Sequence, residues 1–556
     1  MKSKKRVLLV SEFSLLNTGF SVMAYDILSR LYKSGKYEVA ELASYVSDDD
    51  PRIKSVPWKV YPVIPSSKNK EEMDAYHKEY QNAQFGSLRF ESTVNEFKPD
   101  IVFSYRDYWH DEFITKSPSR PYFEYIWSVC VDSEPPRDEW MSTFSSVDLL
   151  TSYTDWGLSV LKKYGGQKLN VANINTMPGV DIDVFKPMDK SQIRKEFGLN
   201  ADSNIILSVM RNQPRKLFPS IIASFANALD SLYSQGLKEI AEKTYLYLHT
   251  GNPDCGFDLP KEIIRYGVGS KIIVTYFCQS CKKSFPSFYC CDRKHCQYCK
   301  QKTCSMANTS HGASREELSK IYNTGDLYVQ YSVAGALEIP IIEAKACGVP
   351  VVSVEYAAPY ELARLGGSYG QVSIAGWKQE SVRETSQIRA VPDDKQLEQI
   401  IESFLKEKPE KKEFLSQLAR QTAVDYHSSN DFAKKWEQLF DGVKVKNPFR
   451  WFAPPSFTNY INLKSQNGNF DAFSACMAAS SFFTEKTMQS TVYQMCQISD
   501  VMNFNTASNN NIDLEKLNGI TNTEISKRNS YESMRFNSAI SKITGRGNED
   551  LMSVTI

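Results

Sequence analysis

Net charge is nearly absent from this 556-residue sequence: 66 Lys and Arg stand against 65 Asp and Glu, leaving +1. The chain as a whole therefore exerts no long-range pull on bulk nucleic acid or an anionic membrane, although a local patch is still open to it. No apolar run approaches the ~18 residues that span a bilayer. Met1-Lys-Ser-Lys-Lys-Arg6 runs straight into Val7-Leu-Leu-Val10 with no small-residue cleavage site, which does not read as a secretory signal. The expectation is a cytoplasmic protein with no membrane span. Internal repeats are not evident. Cysteine is sparse except in one place, since seven of the 12 fall between Cys278 and Cys304 while Cys130, Cys255, Cys347, Cys476 and Cys496 are scattered. One dense patch in a large chain is not the pattern of a disulfide scaffold, and it reads as a metal site.

What is present is material for large cores: 42% hydrophobic residues, with 30 Tyr, 30 Phe and 8 Trp. The length predicts about three or four units. Arg6-Val-Leu-Leu-Val10, a polar loop to Gly19, and a helical pattern from Phe20 to Leu31 open a doubly wound α/β unit. Short apolar strands follow at 101–103, 123–126 and 149–151, and residues 1–185 form one predicted Rossmann-like domain. A second series runs through 205–209, 244–248, 271–274, 327–329 and 349–353, with helices such as 218–232 and 341–347. A helix near 432–440 closes a second predicted domain, 186–445. The cysteine patch interrupts this series directly after a strand, as an insertion over 277–305. From Lys446 the composition turns to Asn and Ser, and 446–556 reads as a polar C-terminal extension.

Four segments in order resemble the GT-B glycosyltransferases, specifically the large retaining group that uses nucleotide-sugar donors. They are Asn17-Thr-Gly-Phe20 in the first strand–helix loop, Met177-Pro-Gly-Val-Asp-Ile-Asp-Val-Phe185 at the entry to the second domain, Val209-Met-Arg211 through Lys216, and Ile339-Pro-Ile-Ile-Glu-Ala-Lys-Ala-Cys-Gly-Val-Pro-Val351. The resemblance covers about residues 5–440 and is nearest to variants of bacteriophage and viral type, whose compartment would be the host cytoplasm. It implies transfer of a hexosyl or other glycosyl group from a nucleoside-diphosphate sugar to an acceptor hydroxyl, with retention. Gly19 then approaches the donor, Arg211 and Lys216 bind its diphosphate, and Glu343 takes the ribose hydroxyls. A guanidinium fork and an ammonium at the carboxyl end of a strand suit a diphosphate whose charge grows as it leaves.

Two departures stand out. The family commonly carries a glutamate where this chain has Gly335, in Gly335-Ala-Leu-Glu338, and Glu338 three residues later is the candidate replacement. The family's first-domain histidine is also missing from Trp127-Ser-Val-Cys-Val-Asp-Ser-Glu134. Asp132 is the candidate there for donor orientation or acceptor deprotonation, and His110 is the other candidate catalytic group.

Cys278-Gln-Ser-Cys281 and Cys296-Gln-Tyr-Cys299 are two C-x2-C knuckles whose spacing suits a structural Zn²⁺ held by four thiolates; Cys290, Cys291, His295 and Cys304 are surplus donors. Across 271–304 seven Lys or Arg face one acid, with aromatics interleaved. Such a patch suits phosphates and stacked bases, or is simply a zinc-stapled module solubilised by lysine. The expected acceptor is a glycan or small molecule, or a hydroxymethylated DNA base. The alternative is a GT-B protein that has lost catalysis and serves as a nucleic-acid or protein adaptor through the insertion.

Overall fold

The computed structural model describes residues 4–16, 18–290, 294–308, 311–380 and 387–445. Asn17, Cys291 and the extension after 445 lie outside them.

Six strands build the first sheet: β1 (Lys5–Glu12), β2 (Tyr37–Ser47), β3 (Lys59–Ile64), β4 (Ile101–Ser104), β5 (Glu124–Val129) and β6 (Leu149–Ser152), all parallel, in the order β3-β2-β1-β4-β5-β6. Both faces are covered, so the strands are largely apolar on both sides. Val7 and Leu9 join one core while Leu8 and Val10 join the other. The helix after β1, Gly19–Ser34, begins at Thr18, whose hydroxyl accepts from Ser21 N, and ends at Gly35 in the left-handed conformation.

The second sheet holds β7 (Asn204–Val209), β8 (Thr244–His249), β9 (Ile272–Cys278), β10 (Ser284–Phe288), β11 (Cys304–Met306), β12 (Leu327–Gln330), β13 (Val351–Val354) and β14 (Ser368–Val372). Its order is β10-β9-β8-β7-β12-β13-β14, with β11 also on β9. Only β10, inside the cysteine insertion, and β11, which ends it, run antiparallel to their neighbour β9. A hairpin of β15 (Ile374–Gln379) and β16 (Ile388–Pro392) follows.

The chain then crosses back. Helix Ser429–Gly442 buries Phe432, Trp436 and Phe440 in the first sheet's core, with Phe103 5.0 Å from Trp436 and 4.9 Å from Phe440 between ring centroids. Two polar contacts fix the domains against each other. Glu361 accepts from Asp155 N (3.0 Å) and Trp156 N (2.8 Å), a carboxylate on the positive end of a helix, and Tyr356 Oη accepts from Glu134 N (3.0 Å). The carboxyl ends of the strands in both sheets thereby bound one cleft.

Candidate active site

A buried polar constellation lies where β7 and β12 end. Lys216 and Glu338 are both buried, and Lys216 Nζ donates to Glu338 Oε1. Gln330, the last residue of β12, donates to Glu338 Oε2 at 2.8 Å, and Arg215 stands 3.8 Å from Oε1. Burial lowers the Lys216 pKa, with the Glu338 charge opposing it and Arg215 assisting. The role of Gly335 is then geometric. A Cβ at that position would lie 2.2 Å from Glu338 Oε1, so the Glu338 carboxylate occupies the space a residue-335 side chain would need. Glu338 precedes helix Ile339–Ala346 without capping it, and its carboxylate folds back over the loop instead.

Arg211 is more open, with 58% of its side chain exposed, and it pairs with buried Asp254 at 2.9 Å. Glu343 is partly buried in the same helix and accepts from Tyr322 Oη at 2.7 Å. Burial raises its pKa to about 7, while Tyr322 and Arg315 pull the other way. Gly19 faces this helix across the cleft; a Cβ there would sit 3.8 Å from Ile339 Cδ1. Gly19 and the Lys216–Glu338 pair thus meet at the start of one helix, with Glu343 a turn further along it, and Arg211 is held by Asp254.

On the opposite wall Asp132 pairs with Arg389 of β16 at 2.7 Å, and Arg389 also holds Glu380 at 3.0 Å. Asp107, three residues past the end of β4, starts helix Tyr108–Thr115 without bonding its amides. Its carboxylate accepts from Cys130, and burial raises its pKa to about 6, with Asp132 adding and Arg215 opposing. His110 lies elsewhere on that helix, packed at a tilt against Phe85 with 4.2 Å between centroids. Burial and Arg106 hold its pKa down to about 3, so it stays neutral. The residues that sequence reasoning passes over are Gln330, Arg215, Arg389 and Asp107. Asp107 carries a faint signal as an acid three residues past a strand; Arg389 carries none.

The four knuckle thiols gather, with Sγ atoms within 4.8 Å of one another. Cys278 and Cys299, and Cys281 and Cys296, are each 3.6 Å apart. That is near the ~3.8 Å edge of a tetrahedron with ~2.3 Å zinc–sulfur bonds, and far from a disulfide. Each knuckle closes by the same turn: Lys282 N donates to Cys278 O (2.9 Å), Lys300 N to Cys296 O (3.0 Å), and both lysines have positive φ. Backbone amides at Ser280, Cys281, Lys283, Tyr298, Cys299 and Gln301 point at the sulfurs, which favours thiolates. The donor set fits a tetrahedral Zn²⁺. Cys304 is buried beside Cys278 across the strand pair, whereas Cys290 and His295 are exposed. Among the described residues no second such group forms.

A fold of two doubly wound sheets with a C-terminal helix returning to the first is the GT-B glycosyltransferase fold, and solved structures share it. The sucrose-phosphate synthase of Thermosynechococcus elongatus matches with a TM-score of 0.55 at 15% identity, over 79% of this chain and 98% of that one. Anabaena HepE, solved with UDP and glucose, matches with a TM-score of 0.52 at 14% identity, over 79% and 100%. In sequence, a D-inositol 3-phosphate glycosyltransferase of Mycobacteroides abscessus is 27% identical over 179 residues, 32% of this chain and 30% of the relative. A second, from Catenulispora acidiphila, is 26% identical over 225 residues, 40% and 41% respectively. The chain therefore spans well under half the length of these curated relatives. No family model matches. No helix of the described residues is long and apolar enough to cross a membrane.

Proposed function

We propose that this protein is a glycosyltransferase that binds a nucleoside-diphosphate sugar in the interdomain cleft and passes the sugar to an acceptor hydroxyl, with retention. The observation that carries this reading is the Lys216–Glu338–Gln330 group with the gap at Gly335. The family glutamate is missing from the sequence, yet a carboxylate stands over the same loop, supplied by Glu338. The named activities of the relatives and the UDP and glucose in the HepE structure support the same donor class.

In the reaction the acceptor oxygen forms a bond to the anomeric carbon while the bond from that carbon to the diphosphate breaks. The leaving diphosphate keeps the electron pair. Lys216 and Arg211 meet that growing charge, and in doing so each exchanges part of its present carboxylate partnership for phosphate. Glu338 and Gln330 orient sugar hydroxyls, and Glu343 takes the ribose. Asp107, with a pKa near neutrality, is suited to take the acceptor proton, and Asp132, held by Arg389, is suited to orient the donor. The domains are 1–185 and 186–445, with a structural zinc module over 277–305 and an extension over 446–556. Zinc, held by Cys278, Cys281, Cys296 and Cys299, supplies a staple for a module with little core of its own.

The test is nucleoside-diphosphate release from UDP-, GDP- and ADP-sugars, starting with UDP-glucose, with and without DNA carrying hydroxymethylated bases. Release without DNA, with product of retained configuration, is expected. Release only with DNA would assign a modified base as acceptor and give the exposed Lys282, Lys300 and Tyr298 of the insertion a nucleic-acid role. No release from any donor by a zinc-loaded, folded protein would favour the adaptor.

A further inference from the structure

The wall opposite the donor carries a feature that the donor chemistry does not use. Tyr45, near the end of β2, has φ +63° although it is neither Gly nor Asn, and the β2–β3 register slips across it, between Ala43 and Ser47. A bulky residue in the left-handed region is strained, and such strain persists where the surroundings or a function fix it. Here it presents the ring outward, 39% exposed. Phe85 lies 6.5 Å from Tyr45 between centroids, His110 lies 4.2 Å from Phe85, and Trp109, 46% exposed, lies 5.5 Å from His110. Arg106 fixes the row from behind, donating to Phe85 O at 3.1 Å and to Ser44 Oγ at 2.8 Å while pairing with Asp111. Trp109 and His110 sit on the helix that Asp107 begins, so the row of rings starts beside the proposed proton acceptor.

The polar groups around the rings indicate what lies on them. Glu12 is in register opposite Ser44, one residue before Tyr45, and bears on Tyr45 electrostatically. Both guanidiniums in this corner are committed, Arg106 to Asp111 and Arg89 to Asp48 and Glu72, as is Arg52 nearby to Asp50. A phosphate would meet a carboxylate here with no cation to spare from either. A hydroxylated ring would not: its C–H face suits aromatic rings, and its hydroxyls suit Glu12 and the neutral His110, whose Nδ1 is buried without a hydrogen-bond partner.

We propose that Tyr45, Phe85, His110 and Trp109 form the acceptor subsite, and that its ligand is an uncharged polyhydroxylated ring, a sugar or cyclitol without phosphate. This rests on the donor assignment above and adds the acceptor class to it. It differs from what the names of the phosphorylated-acceptor relatives would suggest.

The decisive variant is Tyr45→Gly, because glycine removes the ring and relieves the backbone at once. Trp109→Ala is the second. Saturation-transfer NMR and calorimetry on the full chain, with UDP, GDP or ADP present, would use myo-inositol, methyl β-glucoside, glucose 6-phosphate and a DNA oligonucleotide containing 5-hydroxymethylcytosine. At least one neutral probe is expected to bind, and both variants to weaken it about tenfold or more. Nucleotide affinity should be unchanged and the melting temperature of Tyr45→Gly no lower than that of the wild type. A merely structural Tyr45 would instead lower the melting temperature. The proposal is overturned if no neutral probe binds a nucleotide-competent protein, if binding survives both variants, or if only the phosphorylated sugar or the DNA binds. Loss of nucleotide binding with ring-dependent binding of a neutral probe intact would sink the donor assignment and leave the subsite standing.

Discussion

The two sheets meet the cleft with opposite chemistry. The second offers charges with bonded partners: Lys216 with Glu338, Arg211 with Asp254, and Glu343 under the Tyr322 hydroxyl. The first offers rings, with two carboxylates, Asp107 and Asp132, at the seam. A diphosphate demands cations of fixed type, so the second wall has few chemical solutions. A neutral ring demands only flat apolar surface and a few hydrogen bonds, which many residue combinations supply. That asymmetry is why one wall carries a sequence signature and the other does not.

Breaking the charged wall should have the largest effect. Lys216→Ala removes the cation from a carboxylate that is only 5% exposed. An unpaired buried charge costs about 3–5 kcal/mol, and loss of a group that meets charge developing on a leaving group costs about 10²–10³ in kcat. Thermal melts and donor turnover read the two losses separately. Lys216→Met with Glu338→Gln should recover much of the stability and little of the turnover. Recovery of both would show that the pair is only a core contact.

Gly335 allows a sharper cut. Gly335→Ala places a methyl 2.2 Å from Glu338 Oε1, so the carboxylate must shift from its present bond with Lys216. A fall of about 10² in turnover is expected, by the same electrostatic reasoning. Gly335→Glu alone should be as poor, whereas Gly335→Glu combined with Glu338→Gly restores the family arrangement and should regain activity over the single change. If the double variant is worse than either single one, Glu338 is not standing in for the absent glutamate.

Glu343 gives a pH dependence. Its folded pKa, about 7, lies above the ordinary 4.5, so its stability contribution is full below about 4.5 and is lost as pH rises through 7. Donor affinity should move the other way, because the ionised carboxylate is the stronger acceptor for ribose hydroxyls. Between pH 5.5 and 7.5 the Kd of a UDP-sugar, which has no titrating phosphate in that range, should tighten by up to about tenfold. In Glu343→Gln both trends should flatten. A slope that survives the substitution would move the titration to another group.

The same contrast marks how far the sequence could be read. Apolar periodicity exposes β1, β4 to β9, β12 and β13, and the order of the glycine, basic and glutamate segments gives the two-sheet plan. It does not expose β2, where Glu41 and a bulge interrupt the apolar run, or β3, where Pro62 does. Knuckle spacing foretells the thiol cluster because four sulfurs around one ion allow little else. Glu338 is legible as a nearby acid, but that it lies in the space a residue-335 side chain would need depends on how the loop turns back. Tyr45 and Phe85 are brought to Trp109 and His110 only by the folded sheet edge, and Arg389 reaches Asp132 from more than 250 positions away.

The smallest expected effect tests whether the thiol cluster serves the charged wall at all. The strand returning from the insertion, β11, leads to Ala307, whose carbonyl accepts from Asn252 N at 3.1 Å, and Asn308 Cα would lie 3.4 Å from a Cβ on Gly251. Two residues beyond Asn252, Asp254 grips Arg211. Loosening the knuckles therefore frees one side of the loop that aims Arg211, while Lys216, Glu338 and Glu343 stay anchored in β7, β12 and their following segments. Chelation, or Cys281→Ser, should release about one zinc per chain and expose the insertion to protease. It should weaken donor binding only several-fold, since an ion pair whose arginine is more than half exposed carries about 1 kcal/mol or less. In Asp254→Asn the further loss on chelation should be smaller than in the wild type, because the route to Arg211 is already cut. A hundredfold loss on chelation, or an equal loss in Asp254→Asn, would mean that the metal supports the cleft by some other path than this loop.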